Sequence, residues 1–263
     1  MEGARKGAAF FDLDKTLIEG SSAFHFARAS YKAGLMSRRR LASDAWANLK
    51  YRLQGSTDES SDELRQRVLN AIRGLRVIDL ARLGPHVLAG VLPLLYDEVL
   101  AEAYAHQDAG RPAYIVTAAS QELAESLAGV LVFDGGIGMR FEVRDGVYTG
   151  RADGPFTYRE GKAQAIRELA AREGIDLDES YAYSDSESDL PMMRAVGHPV
   201  AVNPDSALQR VAREEGWRVM HIDKLGRRLK LAAGAAAMAL VGGGGGYAVA
   251  RSRRTGTLAR LRR

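Results

Sequence analysis

The sequence predicts an α/β protein: a Rossmann-like core whose parallel sheet is flanked by helices, a helical bundle inserted after the first strand, and an apolar tail. Three observations carry this. From about residue 110 onward, short apolar runs alternate with segments of helical periodicity, the pattern of strand–helix units in a parallel sheet. Between the first apolar run and the second, residues 21–109 hold helical spacing with no clear strand signal. Acids or hydroxyls stand where the apolar runs stop, and the carboxyl ends of parallel strands are where open α/β sheets bind ligands.

The first strand is the run 8–11, which ends in Asp12-Leu13-Asp14-Lys15-Thr16. Two carboxylates two residues apart repel unless a cation or a shared proton separates them, and carboxylate with carbonyl oxygen suits Mg²⁺ better than zinc. By themselves the two acids are also compatible with simple punctuation of a strand end. Gly20-Ser21-Ser22 offers helix N-cap chemistry. Apolar residues then recur at helical spacing over 23–33, 41–53, 64–75 and 87–104, with breaks at Gly34, at 54–60 and at Gly84-Pro85. We expect these helices to form a separate small helical bundle over 21–109, with Arg38-Arg39-Arg40 on a solvated face.

The sheet resumes at 112–116 and leads into Thr117-Ala118-Ala119-Ser120, then a helix over 121–128. A hydroxyl beside the free N–H groups of a helix start suits a phosphate, and equally a plain helix cap. A third strand is expected at 130–133, and a hairpin over 139–150 turning at Asp145-Gly146, either a flap over the site or an edge ribbon. Glu160-Gly161-Lys162 opens a helix that runs to about 173; a cation there opposes the helix dipole, which a nearby anion would explain. The run 180–184 is a strand ending in Asp185, and Asp189 follows at the start of a helix over 190–196. Strands at 198–202 and 217–222, with a helix over 205–215 between them, complete a core formed by 1–20 and 110–225.

Topology thus brings Asp12, Asp14, Thr117, Lys162, Asp185 and Asp189 towards one crevice. The chemistry suggested is phosphoryl transfer through an aspartyl phosphate: a carboxylate nucleophile splits hydrolysis into two displacements at phosphorus, and a second carboxylate exchanges protons with leaving group and water. Mg²⁺ would reduce repulsion between nucleophile and phosphate, and Thr117 and Lys162 would hold phosphoryl oxygens.

In this order the residues resemble the four motifs of the haloacid dehalogenase superfamily: Asp12-Leu13-Asp14-Lys15-Thr16, then Thr117, then Lys162, then Asp185-Ser186-Glu187-Ser188-Asp189. The resemblance spans about residues 7–222. It implies the phosphatase form of that superfamily, since Asp14 stands two residues after Asp12, and a C1 helical cap of the kind found in phosphoserine phosphatase and the other subfamily IB hydrolases. It implies Asp12 as nucleophile and Asp14 as general acid/base that also lends Mg²⁺ a backbone carbonyl. It further implies Thr117, Ala118 and Lys162 as phosphate-binding, and Asp185 and Asp189 as completing the metal site. Phosphoserine phosphatases carry Ser where this chain has Lys15, and near Ser21 a Glu that holds the substrate amine. They carry Ser-Gly-Gly at the place of Thr117-Ala118-Ala119 and Gly at that of Ser184.

Composition narrows the rest. With no cysteine, disulfides, thiolate catalysis and cysteine-bound metal are excluded. The five histidines show no ligand spacing. The net charge of +4 reflects a basic stretch from Arg251 to Arg263. No nucleic-acid partner is expected, because those arginines lack interleaved aromatics. Asp12 interrupts the first apolar run too early for a signal peptide, so the catalytic body is expected in the cytoplasm. Within 226–263, residues 231–250 carry no charge and match the length of a membrane helix; they read as an anchor or as a linker to the basic tail. The expected substrate is a phosphomonoester, either a small metabolite such as phosphoserine or a (lyso)phospholipid phosphate. A phosphotransferase to another acceptor and a non-catalytic phosphate sensor are the alternatives.

Overall fold

The computed structural model describes residues 6–35 and 61–222. The expected helix over 41–53, the Arg38–Arg40 run and the 231–250 stretch lie outside the described residues. The chain divides into two compact units, 1–221 and 222–263, and the first holds all the described strands and helices.

The strands are β1 (Ala9–Phe11), β2 (Ala113–Ser120), β3 (Gly135–Met139), β4 (Phe141–Arg144), β5 (Val147–Ala152), β6 (Tyr181–Ser184), β7 (His198–Val202) and β8 (Arg218–Met220). Six of them form one sheet in the order β3-β2-β1-β6-β7-β8, parallel throughout, and β4 with β5 forms a separate antiparallel ribbon. The order runs outward in both directions from β1, so Asp12 emerges at the point where the winding reverses, the usual ligand crevice of a doubly wound sheet.

The helices are α1 (Ser22–Lys32), α2 (Ser61–Ile72), α3 (Val77–Ala81), α4 (Gly84–Val91), α5 (Asp97–Asp108), α6 (Gln121–Leu131), α7 (Glu160–Glu173), α8 (Leu190–Met193) and α9 (Ser206–Glu214). Strand β1 is buried on both faces, as a central parallel strand must be. Successive side chains point to opposite faces of the sheet. Phe10 joins Ile166, Leu169, Met192, Leu208 and Ala212 on the side of α7, α8 and α9. Phe11 stacks on Tyr183 at 4.4 Å and meets Phe133 and His106 on the other side.

On that second side, α5 is tied to the sheet by a directed hydrogen-bond chain. The Arg111 Nε donates to His106 Nδ1, which leaves the His106 Nε2–H for the Tyr183 hydroxyl. That hydroxyl donates to Glu102, whose carboxylate also takes both Arg218 amino groups. Although α5 falls within residues 21–109, it packs as a core helix.

Three sequence expectations need correction. Residues 130–133 are not a strand: α6 continues to Leu131, and Val132 closes it in the left-handed region at φ 58° while the Phe133 N–H returns to Ala128. Leu127, Ala128 and Leu131 are buried on one helical face, with Val130 and Val132 outside, so the helical period governs. The third strand lies at 135–139, where a Cβ on Gly136 would come within 2.4 Å of the Ala124 backbone; only glycine lets α6 lie so close. The expected helix over 87–104 breaks at the 3₁₀ turn Leu92–Leu94, because Pro93 brings no N–H and Leu95 is extended. The helix over 190–196 ends at Met193.

The 94–96 segment pairs with the loop after β1, through Glu19 N–H to Leu94 O and Tyr96 N–H to Leu17 O. The hairpin turns at Asp145-Gly146, both at positive φ, and is joined to the α2–α3 connection by Gly74–Tyr148, Tyr148–Leu75 and Val77–Gly146 backbone bonds. Among the described residues one stretch, Val77–Leu94, is long and apolar enough to cross a membrane, with mean hydropathy 1.4. Its Leu83, Val87 and Val91 are buried within the protein, Val87 and Val91 on α4, which packs against α1.

Candidate active site

Strand register places the site residues at one level. Phe11 pairs with Ile115 on β2 and with Tyr183 on β6, so the residues after Phe11 run alongside Thr117 on one side and Ser184-Asp185 on the other. Asp12 is buried, and its N–H donates to the Tyr183 carbonyl. The loop then folds under itself: the Leu13 carbonyl accepts from Leu17 and Ile18, and Leu13, Thr16, Leu17 and Ile18 are all fully buried. Four buried anchors hold the backbone on both sides of Asp14 and leave Lys15 outside at φ 61°. Thr117 is buried in the irregular stretch where the β2–β3 register shifts, with its hydroxyl accepting from the Ala119 N–H.

Lys162 comes from the first turn of α7, and the neighbouring glycine fixes how closely that turn approaches. A Cβ on Gly161 would stand 1.7 Å from the Phe156 carbonyl oxygen, so no other residue fits there without displacing the helix start. The Lys162 ammonium, on a 4 % exposed side chain, donates to Asp12 Oδ1 at 2.5 Å and to Asp189 Oδ2 at 2.8 Å. Asp189 Oδ2 also accepts from the Ser184 hydroxyl at 2.7 Å, while its Oδ1 is buried with no hydrogen-bond partner among the described residues. The Lys15 ammonium lies 3.8 Å from Asp185 Oδ2. Asp14 faces α1, with Oδ2 accepting from the Ser21 hydroxyl and Oδ1 from the Ser22 N–H, both at 2.8 Å.

The electrostatics follow from burying more acid than base. Burial is the largest influence on Asp12 and pushes its pKa up to about 7; Asp189 and Asp14 push the same way, and the Lys162 ammonium pulls back only part. Burial likewise raises Asp185 to about 6, with Asp189 adding to it and Lys15 opposing. For Lys162 burial works against the charged form, but Asp12 and Asp189 outweigh it and hold the ammonium well above its ordinary range. The protein thus keeps a fixed cation between two acids that are short of positive charge.

Among the described residues, no three histidine or acidic side chains gather into a group that could enclose a metal ion. The geometry explains this: Asp14 is turned to α1, and one Asp189 oxygen is taken by Lys162 and Ser184. Mg²⁺ does not ask for such a cage, since it is bound through one or two carboxylates, carbonyls and waters together with substrate phosphate. Asp12 and Asp185, both raised by burial, and the orphaned Asp189 Oδ1 make an all-oxygen donor set short of a cation, so the residues fit Mg²⁺.

Of the residues singled out in sequence, Asp12, Lys162 and Asp189 are in direct contact. Asp185 is linked to Lys15, and Thr117 and Ala118 flank Asp12 on β2. The partners not foreseen were Ser184 on Asp189 and the Ser21-Ser22 pair on Asp14. A polar residue at the end of a buried strand was the available signal for Ser184; nothing local assigns Ser21 to Asp14.

Residues 9–194 match the model of the haloacid dehalogenase-like hydrolase family. The chain is 37% identical over 259 residues to phosphoserine phosphatase SerB1 of Mycobacterium tuberculosis, covering 94% of this chain and 80% of that one. A crystal structure of a protein of unknown function from Bordetella pertussis superposes with a TM-score of 0.72 at 28% identity, covering 82% of this chain and 99% of that one. A phospho-aspartyl intermediate analogue of phosphoserine phosphatase shares the fold, with a TM-score of 0.60 at 20% identity over 86% of this chain and 99% of that one.

Proposed function

The chain belongs to the haloacid dehalogenase-like hydrolases and is a phosphatase, and from that premise we propose that it hydrolyses a small-metabolite phosphomonoester through an aspartyl phosphate on Asp12. The observation that carries the reading is the buried Asp12–Lys162–Asp189 arrangement, which sets a fixed cation against the nucleophile at the reversal point of the sheet. In the first displacement Asp12 attacks phosphorus, the P–O bond to the alcohol breaks, and Asp14 gives its proton to the departing oxygen. In the second, Asp14 takes a proton from water, the water oxygen bonds phosphorus, and the bond to Asp12 breaks to release inorganic phosphate.

Lys162, the Thr117 hydroxyl and the Ala118 backbone would hold the non-bridging oxygens and stabilise charge as it builds. Asp12, the Asp14 carbonyl, Asp185 and Asp189 would hold Mg²⁺, which would supply charge neutralisation between nucleophile and phosphate. The helices between residue 21 and the 94–96 segment, with the hairpin bonded to them, would cover the leaving group and select it, while α5 belongs to the core.

Phosphoserine is the first substrate to test, because a 37% identical relative bears the name phosphoserine phosphatase. Lys15, Ser21, Thr117-Ala118-Ala119 and Ser184 all differ from the usual residues of those enzymes, so the panel must be broader. The test is release of inorganic phosphate from soluble phosphomonoesters and lysophospholipid phosphates, with Mg²⁺ or EDTA. Metal-dependent turnover abolished by Asp12→Asn is expected; full turnover by that variant would overturn the aspartyl-phosphate route.

A further inference from the structure

The Ser21 side chain stands at the N-cap of α1, where serine normally accepts a hydrogen bond from the first turn, yet it caps nothing. Elsewhere in the same chain the rule is kept: Ser120 accepts from the Leu123 N–H at the start of α6, and Asp205 accepts from Ala207 and Leu208 at the start of α9. At α1 the Ser21 hydroxyl donates instead to Asp14 Oδ2, and the Ser22 N–H that opens the helix is satisfied by Asp14 Oδ1. The carboxylate has taken over the cap, and the serine hydroxyl has been diverted to it.

We propose that Ser21 is a positioning residue for Asp14, holding the carboxylate that exchanges protons with the leaving group and tying its orientation to the first helix of the cap. The inference rests on the reading of Asp14 as general acid/base. A carboxylate on one χ1 and one broad χ2 torsion is not fixed by a single contact. Two donors from adjacent residues on its two oxygens hold both the plane and the direction of the group. The Ser22 N–H belongs to the backbone and persists in any variant, so the Ser21 hydroxyl is the part of the clamp that can be removed. Because this hydroxyl does not cap α1, removing it should disturb proton delivery far more than helix stability. Since α1 is the first element beyond the Asp12–Gly20 loop, movement of the cap relative to the sheet would move this clamp with it.

The experiment compares leaving groups. p-Nitrophenyl phosphate expels an anion that needs no proton, whereas an alkyl phosphate such as phosphoserine or glycerol phosphate does. The parameter is kcat/KM, which reports events up to the first departure of the alcohol. In Ser21→Ala, and in Ser21→Gly as a second hydroxyl-free variant, the alkyl substrate should lose about ten-fold more kcat/KM than the aryl one, the scale of one hydrogen bond to a charged group. Ser21→Thr, which keeps the hydroxyl, should restore the alkyl-to-aryl ratio to within about three-fold of the wild type. Equal losses on both substrates, no loss on either, or a ratio that Ser21→Thr fails to restore would each overturn the proposal. Absence of wild-type turnover on these and every other soluble phosphomonoester of the panel would instead overturn the small-metabolite hydrolysis reading on which it rests.

Discussion

Replacing Lys162 by methionine keeps the volume of the side chain and removes only the charge. In the wild type the ammonium sits between Asp12 and Asp189, and the three side chains are 4 %, 10 % and 3 % exposed. Breaking a buried ion pair by deleting one partner leaves uncompensated charge and costs about 3–5 kcal/mol. For a chain of this size that corresponds to a drop of about 6–20 °C in Tm, at about 2–4 °C per kcal/mol. The loss should depend on pH in a stated direction. Asp12 is raised to about 7, so above pH 8 it is ionised and needs the cation, while at pH 5 it carries a proton and Lys162 has only Asp189 to answer. The Tm difference between wild type and Lys162→Met should therefore shrink on going from pH 8 to pH 5, measured by thermal unfolding in EDTA. Turnover of a soluble phosphomonoester in Mg²⁺ should fall by about 10²–10³, the usual cost of one preorganised donor to a developing charge. A stability loss below about 1 kcal/mol, or one that is the same at both pH values, would refute the argument that Lys162 offsets two buried carboxylates.

Other outcomes follow from the same structure. Asp12→Asn, besides ending turnover, should stabilise the metal-free protein at pH 8 by up to about 4 kcal/mol. A carboxyl raised in the fold contributes stability fully present below its unfolded pKa of 3.8 and lost as pH rises through about 7, so the gain should vanish near pH 4 in parallel melts. His106 is held neutral by burial, with its pKa down to about 4, so its contribution is complete above 6.5 and lost as pH falls towards 4. Chemical denaturation should show up to about 3 kcal/mol of acid destabilisation over that window that is missing from His106→Gln. Asp185 is raised to about 6, and protons compete with metal for it; the Mg²⁺ concentration giving half-maximal activity should rise about ten-fold per pH unit below 6, and a flat dependence would exclude Asp185 as a ligand. Gly161→Ala should lower both Tm and turnover, because its Cβ must displace either the Phe156 carbonyl or the helix start that carries Lys162.

Much of the candidate site was legible because it is written at strand ends. The run before Asp12 is apolar because β1 is buried on both faces, and the polar residues that interrupt such runs are the ones the sheet delivers to its carboxyl edge. Asp145-Gly146 was readable as a turn because both positions adopt positive φ, a backbone demand that short polar and glycine residues meet locally. The 130–133 error has the opposite cause. Val130, Leu131, Val132 and Phe133 have strand-like composition, but the burial of Leu127, Ala128 and Leu131 against the sheet extends the helix across them, and packing outweighs local propensity.

By itself, then, the sequence determined that strands and helices would alternate, which acids would stand at strand ends and that helices would intervene between β1 and β2. Those properties follow from hydrophobic period and from the chain order of parallel units. Only the tertiary structure decided that Lys162 reaches across 150 residues of chain to Asp12, that Ser184 steadies Asp189, and that Asp14 turns to the first turn of α1. These are contacts between side chains on different elements. Their directions are set by how the helices seat on the sheet, through close approaches such as Gly161 on Phe156, and no local pattern of residues encodes that seating.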